Sequence, residues 1–225
     1  MRIILLGPAG SGKGTQADLI METFGFPKIS TGDLLRQAVQ QGTELGKKVS
    51  EVMKVGNLVE DEIVLKLVEE RIQLPDCRQG YVLDGFPRNL NQALLLEKMV
   101  KESQEIVFEI EATEEEILKR LAGRRVCLQC QAVYNINNDN NKTDNSYRCN
   151  NCGSKLVIRE DDKPEVIRER YKIYIRNIKP LIDYYAGKGV LFQIDGQKPV
   201  EEVFRAIKSI IEKKLSNYSV SSGRR

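Results

Sequence analysis

Apolar residues recur along this chain in short unbroken runs, separated by longer stretches with helical spacing. Ile3 to Leu6, Pro27 to Ser30, Tyr81 to Asp84, Ile106 to Ile110 and Val190 to Ile194 read as strands. Runs of Val, Ile, Leu and Phe without polar alternation suit strands buried on both faces, which predicts a parallel sheet flanked by helices. Thr113-x-x-Glu116 is a capping box that opens a helix through Leu118 and Leu121, and Pro164 with Glu165 suits the first turn of a long one. The long helix carries Ile167, Tyr171, Tyr174, Ile178, Leu181 and Tyr185 at spacings of three and four, and Pro180 is expected to kink it. Two segments interrupt the pattern. Ser30 to Val59 reads as short helices broken at Gly42, Gly46 and Gly56, and Arg125 to Asp161 holds a cysteine cluster.

The first strand leads into Gly7-x4-Gly12-Lys13, and the run from Thr15 to Phe24 continues as a helix. Gly7, Gly10, Gly12 and Gly14 allow backbone N–H groups to turn inward around an anion, and the helix N-terminus faces the same anion. The spacing matches a phosphate-binding P-loop; residue 14 is Gly, so the metal-facing hydroxyl has to come from Thr15. A turn that merely links strand to helix would explain neither Lys13 nor the preceding strand. The fold class is therefore α/β, a P-loop NTPase-like parallel five-stranded sheet flanked by helices, with two inserted segments. Ligands of such sheets lie beyond the carboxyl ends of the strands.

Composition narrows the chemistry. The chain has 225 residues, enough for one domain with insertions, and Lys+Arg 35 against Asp+Glu 32 leaves a formal charge of +3. That near balance argues against nucleic acid or a membrane as partner, and no apolar run of about 18 residues exists. The expectation is a soluble intracellular protein with a frayed tail from Ser216. There is no histidine. Imidazole base catalysis is excluded, which suits phosphoryl transfer to an acceptor that is itself a phosphate and already ionised at neutral pH.

Cys127-x-x-Cys130 and Cys149-x-x-Cys152, with 18 residues between the pairs, have the spacing of a closed structural zinc site with four thiolates. Disulfides or redox pairs are the alternatives, and an intracellular compartment disfavours both. Residues 135–146 are too polar to order themselves, so the metal is the expected organiser there. Cys77 stands apart as a small buried hydrophobe. Asp84, at the end of Tyr-Val-Leu-Asp, stands where a nucleotide enzyme needs a carboxylate for the water shell of Mg²⁺, although a cap or turn aspartate is the alternative. Arg88, in a turn with Gly85 and Pro87, suits a guanidinium fork aimed at phosphate. Asp161 and Asp162 either cap the long helix or orient arginines.

GPAGSGKGT, ISTGDLLR, GNLV, DGFPR with Gln92 four residues on, LAGRRVCLQC and the RxDD stretch with its downstream arginine together resemble adenylate kinase, from Met1 to about Lys214. The resemblance implies Mg-dependent exchange of one phosphoryl group between ATP and AMP to give two ADP, by a cytoplasmic monomer with a zinc-binding lid. It implies a core of residues 1–29, 60–123 and 162–215, an AMP-binding insertion at 30–59 and a lid at 124–161, with 216–225 as the tail. Gly10, Ser11, Gly12, Lys13, Gly14 and Thr15 would grip ATP, with Arg124, Val133, Tyr134 and Lys198 as lid-side and base-side contacts. Thr31, Arg36, Asn57, Leu58, Val59, Gly85, Phe86, Pro87, Arg88, Gln92, Arg159 and Arg170 would hold AMP, Gln92 reading adenine. Lys13, Asp84, Arg88, Arg120, Arg124, Arg159 and Arg170 would form the catalytic set, the arginines gathering on the transferred phosphoryl. Asn89 departs from the Thr or Ser more usual after DGFPR. A kinase of another nucleoside monophosphate, or one using GTP, shares this mechanism and differs in base recognition. A zinc-ribbon ATPase acting on nucleic acid would need a basic, aromatic surface, and a nonenzymatic zinc scaffold would leave the P-loop unused.

Overall fold

The computed structural model describes residues 1–100, 104–137 and 147–222. In chain order the first elements are β1 (Arg2–Leu6), α1 (Lys13–Phe24), β2 (Lys28–Ser30), α2 (Thr31–Gln40), α3 (Glu44–Lys54), α4 (Asp61–Ile72), β3 (Tyr81–Asp84), α5 (Leu90–Met99) and β4 (Glu105–Glu111). Then follow α6 (Glu114–Gly123), β5 (Arg124–Cys127), β6 (Val133–Asn135), β7 (Leu156–Val157), α7 (Pro164–Gly187), β8 (Leu191–Asp195) and α8 (Val200–Ser222). Five strands pair in parallel in the order β2-β3-β1-β4-β8.

The unbroken apolar runs are explained by burial on both faces. Ile3 and Leu5 join Phe108 and Ile110 against Ala17 and Ile20 of α1 and Ile207 and Ile211 of α8. Ile4 and Leu6 turn the other way, joining Leu83 and Val107 against Leu96 of α5 and Leu181 and Tyr185 of α7. Each such side chain, removed from water, contributes about 2 kcal/mol. Leu5 pairs with Asp84 on one side and Phe108 on the other, so the loop after β1 opens next to Asp84.

The two inserted segments differ in construction. α2 and α3 are capped by Ser30 and Thr43, whose hydroxyls accept from Asp33 N and Gly46 N. Gly42 and Gly56 break the chain with positive φ, but Gly46 lies inside α3, contrary to the expected break. A Cβ there would stand 2.2 Å from the Ala38 carbonyl oxygen, so this glycine lets α2 and α3 cross closely. The second segment begins where α6 ends, and its antiparallel sheet has the order β6-β5-β7. Its core is Cys127, Tyr134, Cys149 and Leu156, so half of these buried residues are cysteines.

α7 is one continuous helix with Pro180 inside it. One further expectation meets the structure differently. The tail expected to fray from Ser216 is helical as far as Ser222, because nothing before Gly223 breaks the helical pattern of α8, and Ser216 Oγ donates to Glu212 O at 2.9 Å. Of the polar stretch expected to need a metal, residues 138–146 lie outside the described residues, as do 223–225 of the tail.

At the amino ends of β1 and β4, Arg2 and Glu105 form an ion pair at 2.6 Å, their side chains 4% and 5% exposed. Glu105→Ala strands the Arg2 charge and is expected to cost about 3–5 kcal/mol. The paired replacement Arg2→Met with Glu105→Leu should cost much less. Urea unfolding at constant m-value measures both, and equal losses would contradict this account.

Candidate functional site

One cleft of about 1520 Å³ runs across the carboxyl ends of the strands, lined by both inserted segments and by the loop after β1. In that loop Gly7, Gly10 and Gly12 have φ of 144°, 86° and 105°. A Cβ on Gly7 would stand 2.5 Å from Ile110 O, and one on Gly10 2.9 Å from Leu121 Cγ, so the loop lies flat on β4 and α6. Gly12 caps α1 without a side-chain bond, and the first turn carries no acid, which leaves the amides and positive dipole end for an anion. Ser11 Oγ is buried and unpartnered. Lys13 Nζ folds back onto Gly7 O and Pro8 O, both at 2.8 Å. The unpartnered Ser11 hydroxyl and a Lys13 held by backbone carbonyls fit a polyphosphate. Asp84 Oδ2 lies 3.5 Å from where a Cβ on Gly14 would sit, and the next residue is Thr15, so a carboxylate and a hydroxyl flank the loop as a hydrated Mg²⁺ requires.

A second cationic group faces the loop. Burial pushes Lys13 down to about 8, with Asp84 opposing and Arg88, Arg170 and Arg124 adding to the fall. Burial and Arg170 push Arg88 down to about 10, and burial with Arg36 and Arg124 does the same to Arg159. The cations therefore lie close enough to repel one another. Acids hold several of them: Asp162 takes Arg124 with both oxygens, one at 2.7 Å, Asp161 takes Arg170 at 2.8 Å, and Asp33 takes Arg36 and, at 3.9 Å, Arg159. Burial alone would raise Asp33 and Asp161; the neighbouring arginines, Arg36 and Arg170 foremost, hold both below the usual carboxylate range. Lys163 precedes α7 without a side-chain cap, so Asp161 and Asp162 orient arginines and do not cap that helix.

Thr31 and Gln92 are both buried at the wall formed by α2, β3 and α5. Thr31 Oγ1 donates to Gly85 O at 2.9 Å, and Gln92 Oε1 accepts from Arg88 N at 2.7 Å. Asn57, Leu58, Val59, Gly85, Pro87, Val133, Gly196, Lys198 and Val200 also line the cleft.

Tyr134 lines the cleft and is 5% exposed, with its hydroxyl accepting from Asn150 N at 3.0 Å and lying against Cys149 Sγ, so that end of the side chain also serves the core of the second segment. Two residues are placed differently from expectation. Phe86 is fully buried in the core and does not line the cleft. Arg120 does not join the arginine cluster; it braces Ser11 O at 3.3 Å and Gly196 O at 2.9 Å while paired with Glu116. Sequence reasoning passed over Asp33, although a carboxylate three residues before Arg36 on one helix is a readable pairing signal. It also passed over Asp61, which holds the other end of the Gln92 amide and carries no motif of its own.

The four clustered cysteines are free, and their sulfurs all lie within 4.8 Å of one another. Sγ–Sγ distances of 3.4 Å for Cys127 with Cys152 and 3.3 Å for Cys130 with Cys149 are far from a disulfide's roughly 2 Å. They suit thiolates converging on one tetrahedral ion, whose roughly 2.3 Å bonds set sulfurs slightly under 4 Å apart. The clustered thiols shift in opposite directions, Cys149 down to about 6, chiefly through the Tyr134 hydroxyl, and Cys130 up, the Ala132 backbone bond being outweighed by its sulfur neighbours.

A parallel sheet with a P-loop, an arginine-rich wall facing it and no histidine defines a phosphotransferase of the P-loop class with room for two phosphate-bearing ligands. The sequence profile described as adenylate kinase matches residues 5–190, and the chain belongs to that family. It is 50% identical over 216 residues to adenylate kinase from Archaeoglobus fulgidus, covering 95% of this chain and 99% of the relative. To adenylate kinase from Caldanaerobacter subterraneus it is 47% identical over 214 residues, covering 94% and 96%. To that from Fervidobacterium nodosum it is 45% identical over 216 residues, covering 94% and 97%.

The depressed Lys13 predicts proton uptake on binding. An anion raises its pKa from about 8. Below that pH the lysine is charged with or without ligand and ATP affinity is flat. Above it a proton must be bound with the ligand, and affinity falls by up to about tenfold per pH unit. Calorimetry at pH 9 in buffers of different ionisation enthalpy reads the uptake directly. A buffer-independent binding enthalpy would count against it.

Proposed function

We propose that the cleft performs ATP + AMP ⇌ 2 ADP with the donor at the loop after β1 and the acceptor at the wall of α2, β3 and α5. The observation that carries this reading is the crowding of cations between the two ends, where Lys13, Arg88 and Arg159 are all pushed down. Gly10 to Thr15 hold the donor phosphates, and Arg124, Val133 and Lys198 line its remaining contacts. Arg36, Arg88, Arg159 and Arg170 take the acceptor phosphate, with Thr31 and Gln92 at its base. Asp84 and Thr15 would hold the hydrated Mg²⁺ that arrives with ATP, which would supply charge neutralisation for the phosphates.

The chemistry asks little of a base, since a phosphate monoester is mostly dianionic at neutral pH. What limits the reaction is bringing two polyanions together and bearing the charge spread over the equatorial oxygens. Asp33, Asp161 and Asp162 serve as internal counter-ions that keep the arginines placed until phosphates replace them. Closing the second segment over the cleft excludes water, which would otherwise accept the phosphoryl group. Both nucleotide sites belong to one chain, which suits a working monomer, and free thiols suit the cytoplasm.

ADP formation from Mg·ATP with AMP, GMP, CMP or UMP tests the reading. AMP is expected to be strongly preferred, and Lys13→Met to abolish transfer while the circular dichroism stays unchanged. Absence of turnover with AMP would overturn the reading.

We also propose that Cys127, Cys130, Cys149 and Cys152 hold one structural zinc ion, the four-residue core of that segment being too small to order it alone. Chelation, or Cys149→Ser, should release about one zinc per chain and lower the melting temperature by about 5 °C or more. Metal analysis finding no zinc in freshly purified protein would refute this.

A further inference from the structure

We propose that Asp61 is a positioning residue that locks the Gln92 side-chain amide in the orientation that reads adenine and rejects six-oxo purines. The inference rests on the reading that Gln92 faces the acceptor base. Asp61 opens α4, away from the phosphate machinery, yet three side chains of the turn into α5 converge on its carboxylate. Asn91 Nδ2 donates to Oδ2 at 2.7 Å, and Asn89 Nδ2 and Gln92 Nε2 donate to Oδ1 at 3.1 and 2.7 Å. Burial alone would raise its pKa; the hydrogen bonds from Asn91, Asn89 and Gln92 outweigh that and keep it ionised. Asn89, the departure from the Thr or Ser usual after DGFPR, also caps α5 by accepting from Gln92 N at 2.8 Å, so one side chain ties Gln92 to Asp61 at both backbone and amide.

The two ends of the Gln92 amide face partners that admit no ambiguity. Arg88 N is a backbone donor with no acceptor capacity, so the atom 2.7 Å away must be Oε1. An ionised Asp61 is acceptor-only, so the atom 2.7 Å from its Oδ1 must be Nε2. One lone pair on Oε1 and one N–H on Nε2 remain for a ligand. Adenine offers a matching pair, the N6 donor beside the N1 acceptor. A six-oxo purine offers the reverse, an O6 acceptor beside an N1–H donor. Gln92 could meet it only by turning over, which would set Nε2 against the Arg88 N–H and Oε1 against the Asp61 carboxylate. Selectivity is therefore built by a repulsive arrangement behind the reading residue, which Gln92 alone, free to rotate, would not provide.

Inosine monophosphate is the probe, because its base carries the reversed pair without the extra 2-amino group of guanine. The experiment compares kcat/KM for AMP and for inosine monophosphate in the unsubstituted protein, Asp61→Ala, Asp61→Asn and Gln92→Ala. Asp61→Ala removes the acceptor-only partner and Asp61→Asn keeps its shape while allowing either orientation. In Asp61→Ala the preference for AMP should fall by about tenfold or more, with KM for AMP rising and KM for ATP unchanged within twofold. The Gln92 side-chain NH₂ proton signals in ¹⁵N-edited spectra, widely split by the carboxylate, should draw together in the same variant. An unchanged preference in both Asp61 variants, together with a raised KM for AMP in Gln92→Ala, overturns the inference and leaves the site reading standing. An unchanged KM for AMP in Gln92→Ala removes Gln92 from the base site, and the inference falls with that reading.

Discussion

Mutual repulsion of like charge, first among the protein's own cations and then between two phosphate-bearing ligands, is the constraint on which the rest of this structure depends. Burial and mutual repulsion depress Lys13, Arg88, Arg159 and Arg170 where the strands end, and Arg124 adds to the repulsion. Such a cluster would spring apart or stay hydrated on its own. Three devices hold it: a rigid parallel sheet that places Leu5 beside Asp84, carboxylates at Asp33, Asp161 and Asp162, and burial between inserted segments. Each device has a second use, since the same rigidity aligns donor with acceptor and the same burial keeps water out.

The acids explain how a site for anions persists without one. A bidentate carboxylate offers a guanidinium much the same geometry as a phosphate. Asp162 holds Arg124 with both oxygens, and Asp161 holds Arg170 with one, so the two guanidiniums are already fixed in place. The segment from Arg124 to Val157 has a small sheet and a core cluster of four buried side chains, two of them thiols.

Motif-bearing residues were legible because their chemistry is local. The loop from Gly7 to Thr15 needs particular residues at fixed offsets within one turn, and the cysteine pairs need only their spacing. Residues acting across elements were harder to read. Phe86 sits inside a nucleotide-reading motif yet packs in the core, and Tyr134 turns its hydroxyl to Cys149 and Asn150. Arg120, in the second turn of α6, braces backbone carbonyls of Ser11 and Gly196 that no sequence distance suggests are neighbours. Gly46 looked like a break and is a helix crossing.

The amino-acid sequence by itself determined the five core strands, the phosphate loop and the paired cysteines, since each follows from period or spacing, while the reaction came from the family resemblance that its motifs carry. Only the tertiary structure decided which arginines share one field, which acids hold them, and which way Gln92 faces. Those are properties of distances between elements: Asp61 and Gln92 are thirty-one positions apart in the chain and 2.7 Å apart in space. Hydrogen-bond polarity and charge coupling act over a few ångströms, and only folding brings such residues within that range.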